Sequence, residues 1–261
     1  MSPHRQTLLT VGATGSIGQH VIEEALRQGY AVRALVRSPG SHRKWPPDVE
    51  VVVGELTRKD SLVQAVTGID AVVFTHGAPY GDIQGAEAVD YGGVRNIILA
   101  LKGSRKTRLA LMTAIGVTDR REGHDWKRRG ERLVRASGLP YTIVRPGWFD
   151  YNGPKQRRLV LLQGDRRQSG TPNDGVVSRR QIAQVLLESL RSPQALNKTV
   201  ELVAEAGPET EDFDSLFATA VSDAPRALDG ARDDANMPLD KEPARVTTDL
   251  QNVRTHAGET S

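Results

Sequence analysis

The fold is decided by Thr7-Leu8-Leu9-Thr10-Val11-Gly12-Ala13-Thr14-Gly15-Ser16-Ile17-Gly18, which runs on through Gln19 to Gln28 and Gly29. An apolar run of strand length meets a glycine-rich turn. The turn meets a segment whose Ile17, Val21, Ile22, Ala25 and Leu26 fall on one helical stripe. Gly29 stands where a left-handed residue closes such a helix. A strand, turn and helix in this order make an anion site. The first helical N–H groups lack internal partners and the helix dipole is positive there, so a pyrophosphate fits. Gly12 allows the tight turn, Gly15 admits a ligand to the backbone, and Gly18 lets helix and strand pack closely. The spacing is G-x-x-G-x-x-G, with Thr14 where the familiar dinucleotide fingerprint carries its second glycine.

Reading outward, Ala31 to Val36 is a second strand, and a parallel βαβ unit follows from the helix between the two. The residue at the tip of that strand selects the cofactor: an acid suits a ribose 2′-OH, an arginine a 2′-phosphate. Arg37 and Ser38 occupy the tip, Arg33 lies upstream, and no Asp or Glu occurs between Tyr30 and Pro47. Guanidinium forks match phosphate oxygens, so the expected cofactor is NADP(H) rather than NAD(H).

Further strands are expected at Val49 to Val53, Ala71 to Thr75, Arg108 to Thr113 and Tyr141 to Arg145. Helices are expected at Lys59 to Val66, Gln84 to Leu101 and His124 to Ser137. This alternation predicts an α/β fold with a doubly wound parallel Rossmann sheet. Ligands of such sheets bind outside the carboxyl ends of the strands, which makes Glu55, Leu56, Thr75, Gly77 and Ala78 candidate walls for adenine and ribose. Gly92-Gly93, inside a helix, is expected to let another backbone come close. Beyond Trp148 a small hairpin of 158–162 with 167–169 is read, then a helix from Arg179 to Leu190 capped by Ser178. A strand at Thr199 to Val203 and a helix at Phe213 to Val221 follow. The expected division is a nucleotide-binding core over 1–147, a small C-terminal substrate lobe over 148–221 interleaved with the last Rossmann elements, and an irregular arm or tail over 222–261. The tail is polar and shows no apolar period.

The 261 residues suffice for a sizeable core. A formal charge of +3 does not indicate nucleic-acid binding. With no cysteine, disulfides, thiolate metal sites and cysteine nucleophiles are excluded. No apolar run reaches membrane-spanning length, and no signal-peptide pattern precedes the first strand. The expected setting is the cytoplasm and the expected partner a small-molecule substrate, with neither nucleic acid nor membrane. No metal-ligand spacing is present.

The chain resembles the atypical short-chain dehydrogenase/reductases, the NAD(P)-binding group that includes the NmrA-like proteins. The matching stretches are VGATGSIG (11–18), VRALVR (32–37), GELT (54–57), VDYGGVRNII (89–98), MTAIGVT (112–118), KRRGERLVRASGLPYTIVRPGWF (127–149) and SRRQIAQVLLESL (178–190). The resemblance implies that Gly12, Thr14, Gly15, Ser16 and Ile17 hold the pyrophosphate, Arg37 the 2′-phosphate, and Lys127 the nicotinamide ribose. It places the nicotinamide end near 112–114, Lys127 and the loop of Pro146, Trp148 and Phe149, and it hints at a homodimer. Typical members pair a tyrosine with a lysine four residues later, yet Gly123 stands four before Lys127. The literal Tyr151 to Lys155 match contains Asn152-Gly153-Pro154, which cannot form the helical turn that pairing needs. Thr113, His124, Tyr151 or a water on Lys127 are the remaining candidate proton donors. The basic helix face carrying Arg128, Arg129, Arg132 and Arg135 is expected to be solvated, and Trp126 to be core. Two functions follow: an NADPH-dependent oxidoreductase acting on a small carbonyl-type substrate, with Lys127 and Thr113 as catalytic candidates, or a non-catalytic NADP(H)-binding redox sensor.

Overall fold

A computed structural model describes residues 5–40, 45–101, 103 and 106–258. The first four residues of the expected core and the last three of the expected arm lie outside it. Strand β1 (Thr7–Val11) leads through the glycine turn into α1 (Gly18–Arg27), and β2 (Ala31–Val36) and β3 (Val49–Val53) follow. A 3-10 turn over Lys59–Leu62 continues into α2 (Val63–Val66) and β4 (Ala71–Phe74). Then come α3 (Ile83–Gly85), a π-helical stretch over Ala86–Tyr91 and α4 (Gly92–Ala100). Next are β5 (Arg108–Met112), α5 (Glu122–Ala136), β6 (Tyr141–Pro146), β7 (Trp148–Phe149) and β8 (Arg158–Leu162). The chain closes with β9 (Val176–Val177), α6 (Arg179–Arg191), β10 (Lys198–Glu205), α7 (Phe213–Ala218) and α8 (Ala244–Gly258).

Eight strands form one sheet in the order β3-β2-β1-β4-β5-β6-β10-β8. All neighbours run parallel except β8, which lies antiparallel on β10 with Leu161 opposite Leu202. This is the doubly wound Rossmann-like sheet. The chain winds outward from β1 to β3, then returns to β4 and winds the other way, so the crevice opens between the carboxyl ends of β1 and β4. There Thr75 N–H donates to Val11 O at 2.8 Å. Parallel strands buried on both faces read as continuous apolar runs, as Ala71–Phe74 does. One apolar layer lies under α1 and α6, with Val21, Ile22, Ile182 and Leu186. The other lies under α4, α5 and α8, with Val94, Ile97, Leu133, Val246 and Leu250.

Several expectations are corrected. Residues 158–162 pair with β10 and not with 167–169, because β10 offers a free edge whose Leu202 and Ala204 match the alternation of β8. The helix expected from Gln84 to Leu101 is three pieces. Gly93 does not admit a backbone: a Cβ there would sit 3.1 Å from His76 Nε2 and 3.3 Å from Leu56 Cδ1, both side chains. Backbone approach occurs instead at Gly130, whose Cβ would lie 3.1 Å from Asp90 O.

The stretch from residue 222 is not loose coil. It crosses α5 and ends in α8, whose Val246, Leu250 and Val253 are buried. Nor is the basic face of α5 solvated. Arg128 and Arg132 both reach Asp229, Arg129 bonds Glu242 at 2.6 Å, and Arg135 bonds Asp223 at 3.2 Å. All four guanidiniums are buried, each against a carboxylate supplied by the arm.

Candidate functional site

The glycine turn has the geometry its spacing calls for. Gly12 sits at φ +88°, and a Cβ on it would lie 2.5 Å from His76 N and 2.8 Å from Thr75 C. A Cβ on Gly18 would lie 2.1 Å from Gly12 O. Both positions therefore exclude any side chain, the first because β4 passes beneath and the second because α1 starts against the turn. Gly15 donates to Gly12 O at 2.9 Å, closing the turn. Thr14, Gly15 and Ser16 face solvent, while Ile17 is buried and anchors the helix start. The N–H groups of Thr14, Ser16 and Ile17 reach no backbone carbonyl among the described residues. Open donors above a side-chain-free floor at a helix start fit a dinucleotide diphosphate.

Arg37 and Ser38 are exposed at the tip of β2. Arg37 has no hydrogen-bond or ion-pair partner among the described residues. Arg33, by contrast, is used structurally: it bonds Glu50 at 2.7 Å and the carbonyls of Ala65 and Thr67 at 3.0 and 2.7 Å. Of the expected adenine and ribose walls, Glu55 and Leu56 are half-buried beside the β3 end and Gly77 is exposed. Leu56 O accepts from Asn96 Nδ2 at 2.7 Å. Thr75 is buried, its hydroxyl donating to Val11 O at 3.2 Å.

Lys127 projects from α5 toward the β4 end. Its Nζ donates to Asp90 Oδ2 at 2.8 Å, and Asp90 Oδ1 accepts Ala78 N–H at 3.0 Å. The π-helical stretch carries Asp90 and also turns the Val89 carbonyl toward His76 Nε2, 3.1 Å away. Burial lowers the His76 pKa to about 4, with Asp90 pulling the other way, so this ring is neutral at neutral pH. No local spacing links Asp90 to Lys127, so sequence reasoning missed the pair although Asp90 lies within VDYGGVRNII.

Thr113 is corrected as a hydroxyl for catalysis. Its Oγ1 donates to Glu131 Oε1 at 2.7 Å and is buried. The reason is electrostatic: Glu131 is a fully buried carboxylate wedged between Arg145 and Arg135, and the Thr113 hydroxyl completes its set of donors.

Beyond Lys127 an apolar cavity of about 380 Å³ opens, walled by Ala114, Ile115, Pro146, Gly147, Trp148 and Phe149. Its polar rim includes Arg121, His124 and Asp174. Gly147 is required there, since a Cβ would lie 2.4 Å from Gly175 O, where β7 pairs with β9. Asp165 shapes the floor by accepting the N–H groups of Gly116 and Thr118, each at 2.7 Å. His124 Nδ1 lies 2.9 Å from Gly116 O, which can only accept, so Nδ1 carries the proton and Nε2 is left with no partner among the described residues. Tyr151 is exposed, outside the cavity wall, in edge contact with Trp148. Residues 151–155 form no helix, so Tyr151 and Lys155 do not pair in the manner of a Tyr-x-x-x-Lys motif.

Among the described residues, no cluster of His, Asp or Glu could hold a metal, and no helix is long and apolar enough to cross a membrane.

Comparison with known proteins bears on the family to which this fold belongs. Sanguinarine reductase of Eschscholzia californica is 25% identical over 266 residues, covering 83% of this chain and 97% of that protein. The photosystem II assembly factor Ycf39 of Trieres chinensis is 26% identical over 208 residues, 77% of this chain and 65% of that one. A wide-type short-chain dehydrogenase/reductase from Veillonella parvula, solved in complex with NADP, superposes with a TM-score of 0.61 at 20% identity, covering 78% of this chain and 97% of that one. That last likeness is one of fold. A sequence-family model described as NAD(P)H-binding matches residues 12–193, from the first glycine of the turn to the end of α6. With the open glycine turn, the reversal of strand order above it and that match over most of its length, the chain belongs to the NAD(P)H-binding family of Rossmann-fold proteins.

Proposed function

We infer that the chain is an NADPH-dependent reductase of small, largely apolar carbonyl compounds. The observation that carries this reading is the apolar cavity at the carboxyl edge of the sheet, with His124 in its rim and Lys127 nearby on the same helix. Such a cavity suits a small ring system held by shape with a few polar contacts. Preference for the 2′-phosphorylated cofactor rests on the exposed Arg37, which has no partner among the described residues.

A bound reduced nicotinamide supplies hydride to a carbonyl carbon. The chain's own residues do the rest. The Gly12–Ile17 turn would hold the diphosphate, and Lys127, fixed by Asp90, would offer its remaining N–H groups to the nicotinamide ribose. Trp148 and Phe149 keep water from the substrate. His124 takes the place of the missing tyrosine: with Nδ1–H held by Gly116 O, the ring in its doubly protonated form gives the Nε2 proton to the substrate oxygen, is left as the neutral Nδ1–H tautomer, and regains the proton from solvent.

The test is NADPH consumption with a panel of aldehydes, ketones and quinones. Turnover of at least one is expected, falling about a hundredfold or more in His124→Gln while NADPH affinity, read by calorimetry, stays within a factor of two or so. Tight NADPH binding without turnover of any compound would favour a redox sensor. The buried Thr113 hydroxyl and a relative described as an assembly factor are what speak for that second reading.

A further inference from the structure

The open N–H groups of the glycine turn are neutral, whereas a dinucleotide diphosphate brings two negative charges. Among the described residues one cation lies within hydrogen-bonding distance of the turn. It comes from far along the chain, at the first position of α6: Arg179 Nε donates to Ser16 Oγ at 3.0 Å. The guanidinium is fixed from three sides. Asp150 bonds it through Nη1 and also accepts the Arg179 backbone N–H at 3.0 Å. The Phe149 ring lies beneath it, 5.4 Å from ring centroid to guanidinium carbon. Asp150 holds its carboxylate there from a left-handed backbone, φ +57°, which a non-glycine residue adopts at a cost. The fold thus places a guanidinium over the diphosphate turn and ties it to the loop that walls the substrate cavity.

We propose that Arg179 is the diphosphate-binding cation of this cleft, closing over the glycine turn from the α6 side. The proposal rests on the nucleotide reading of the turn. The ligand class is a diphosphate diester, which a guanidinium fork matches in charge and geometry. Arg37 and Arg179 then divide the work at opposite ends of the adenosine, one on the 2′-phosphate and the other on the diphosphate. Because Asp150 shares the same guanidinium, cofactor binding and the order of the Phe149 wall are coupled.

The experiment is calorimetry of wild type, Arg179→Ala and Arg37→Ala with three probes: NADP⁺, 2′-phospho-ADP-ribose and adenosine 2′-monophosphate. Arg179→Ala is expected to weaken the two diphosphate probes about tenfold or more, as for loss of a charged hydrogen bond, and to leave adenosine 2′-monophosphate unchanged. Arg37→Ala should weaken all three. Arg179→Lys should recover part of the loss, and its dependence on salt should remain. Equal affinity of Arg179→Ala and wild type for NADP⁺ would overturn the assignment while leaving the nucleotide reading intact. Equal loss for all three probes in Arg179→Ala would also overturn it, as a structural effect. No heat from wild type with any probe would sink the nucleotide reading itself, and this inference with it.

Discussion

Glu201 on β10 should make the protein less stable as pH rises through neutrality, and Glu201→Gln should abolish that dependence. The carboxylate is 2% exposed and faces Arg145 Nη1 at 3.4 Å. That guanidinium is already committed to two nearer carboxylates, Glu131 at 3.0 and 2.7 Å and Asp233 at 2.8 and 2.7 Å. Burial therefore pushes the Glu201 pKa up to about 8, with Asp165 and Asp233 adding to the rise and Arg145 only partly offsetting it. The sign follows from proton binding. Between the unfolded value near 4.5 and about 8 the native state holds a proton that the unfolded chain has lost. Stability from this group is thus complete below about pH 4.5 and declines by about 1.4 kcal/mol per pH unit up to pH 8. Glu131 and Asp233 have lowered pKa values and lose their contribution only as pH falls into the acid range. His76, neutral when folded, acts in the opposite direction between about pH 4 and 6.5. The readout is therefore the difference between variant and wild type in urea unfolding at pH 5.5, 6.5, 7.5 and 8.5. From pH 5.5 to 7.5 Glu201→Gln should gain about 2.7 kcal/mol on wild type, then level off. A difference that stays constant across the four pH values would refute the reasoning.

Arg37→Ala should raise the Kd for NADPH about tenfold and leave that for NADH unchanged, measured by calorimetry. Gly12→Ala should abolish cofactor binding and cost roughly 3 kcal/mol in urea unfolding, because its methyl would meet the His76 and Thr75 backbone at a left-handed φ. Asp229→Ala removes the carboxylate shared by Arg128 and Arg132 and should cost about 3 kcal/mol. Calorimetry should then show the melting temperature lower by about 6–12 °C. Asp90→Asn frees Lys127 while an amide oxygen still accepts Ala78 N–H, so stability should change by about 1 kcal/mol or less. Turnover, if Lys127 must be held for the ribose, should fall at least tenfold or so.

What the residues revealed at sequence level follows the range of the interactions involved. The glycine turn, the stripe of α1 and the apolar strands are local patterns, and β1, β2 and β3 match their expected limits. The place of Arg37 at the tip of β2 is local too, since it follows directly on that strand. Asp90, Asp150 and Arg179 were not legible, because each acts on a residue between 29 and 163 positions away, and no spacing rule spans that distance. Thr113 misled for the same reason. Its neighbours in sequence suggest an exposed hydroxyl at a strand end, whereas Glu131 and Arg145 turn it inward. The arm misled through composition: Asp223, Asp229, Asp233 and Glu242 look like a solvated polar tail until the guanidiniums they neutralise are seen.

Those guanidiniums tie the arm to the chemistry. On α5, His124, Lys127 and Glu131 follow one another at three- and four-residue steps, facing the cleft and the sheet beneath it. Arg128, Arg129, Arg132 and Arg135 lie toward the arm. Four buried cations on one helix cannot persist without carboxylates at hydrogen-bonding distance, since an unpaired buried charge costs several kcal/mol. The arm supplies them, although it lies beyond residue 193, where the family match ends. Asp233 of the same arm holds Arg145, the residue immediately before the Pro146–Phe149 wall, by accepting two parallel hydrogen bonds of 2.8 and 2.7 Å. The helix that carries His124 and Lys127 and the end of β6 that leads into Trp148 are thus held by one charged segment beyond the family match. The charge network that braces this edge of the sheet thus draws its carboxylates from a segment beyond the family match.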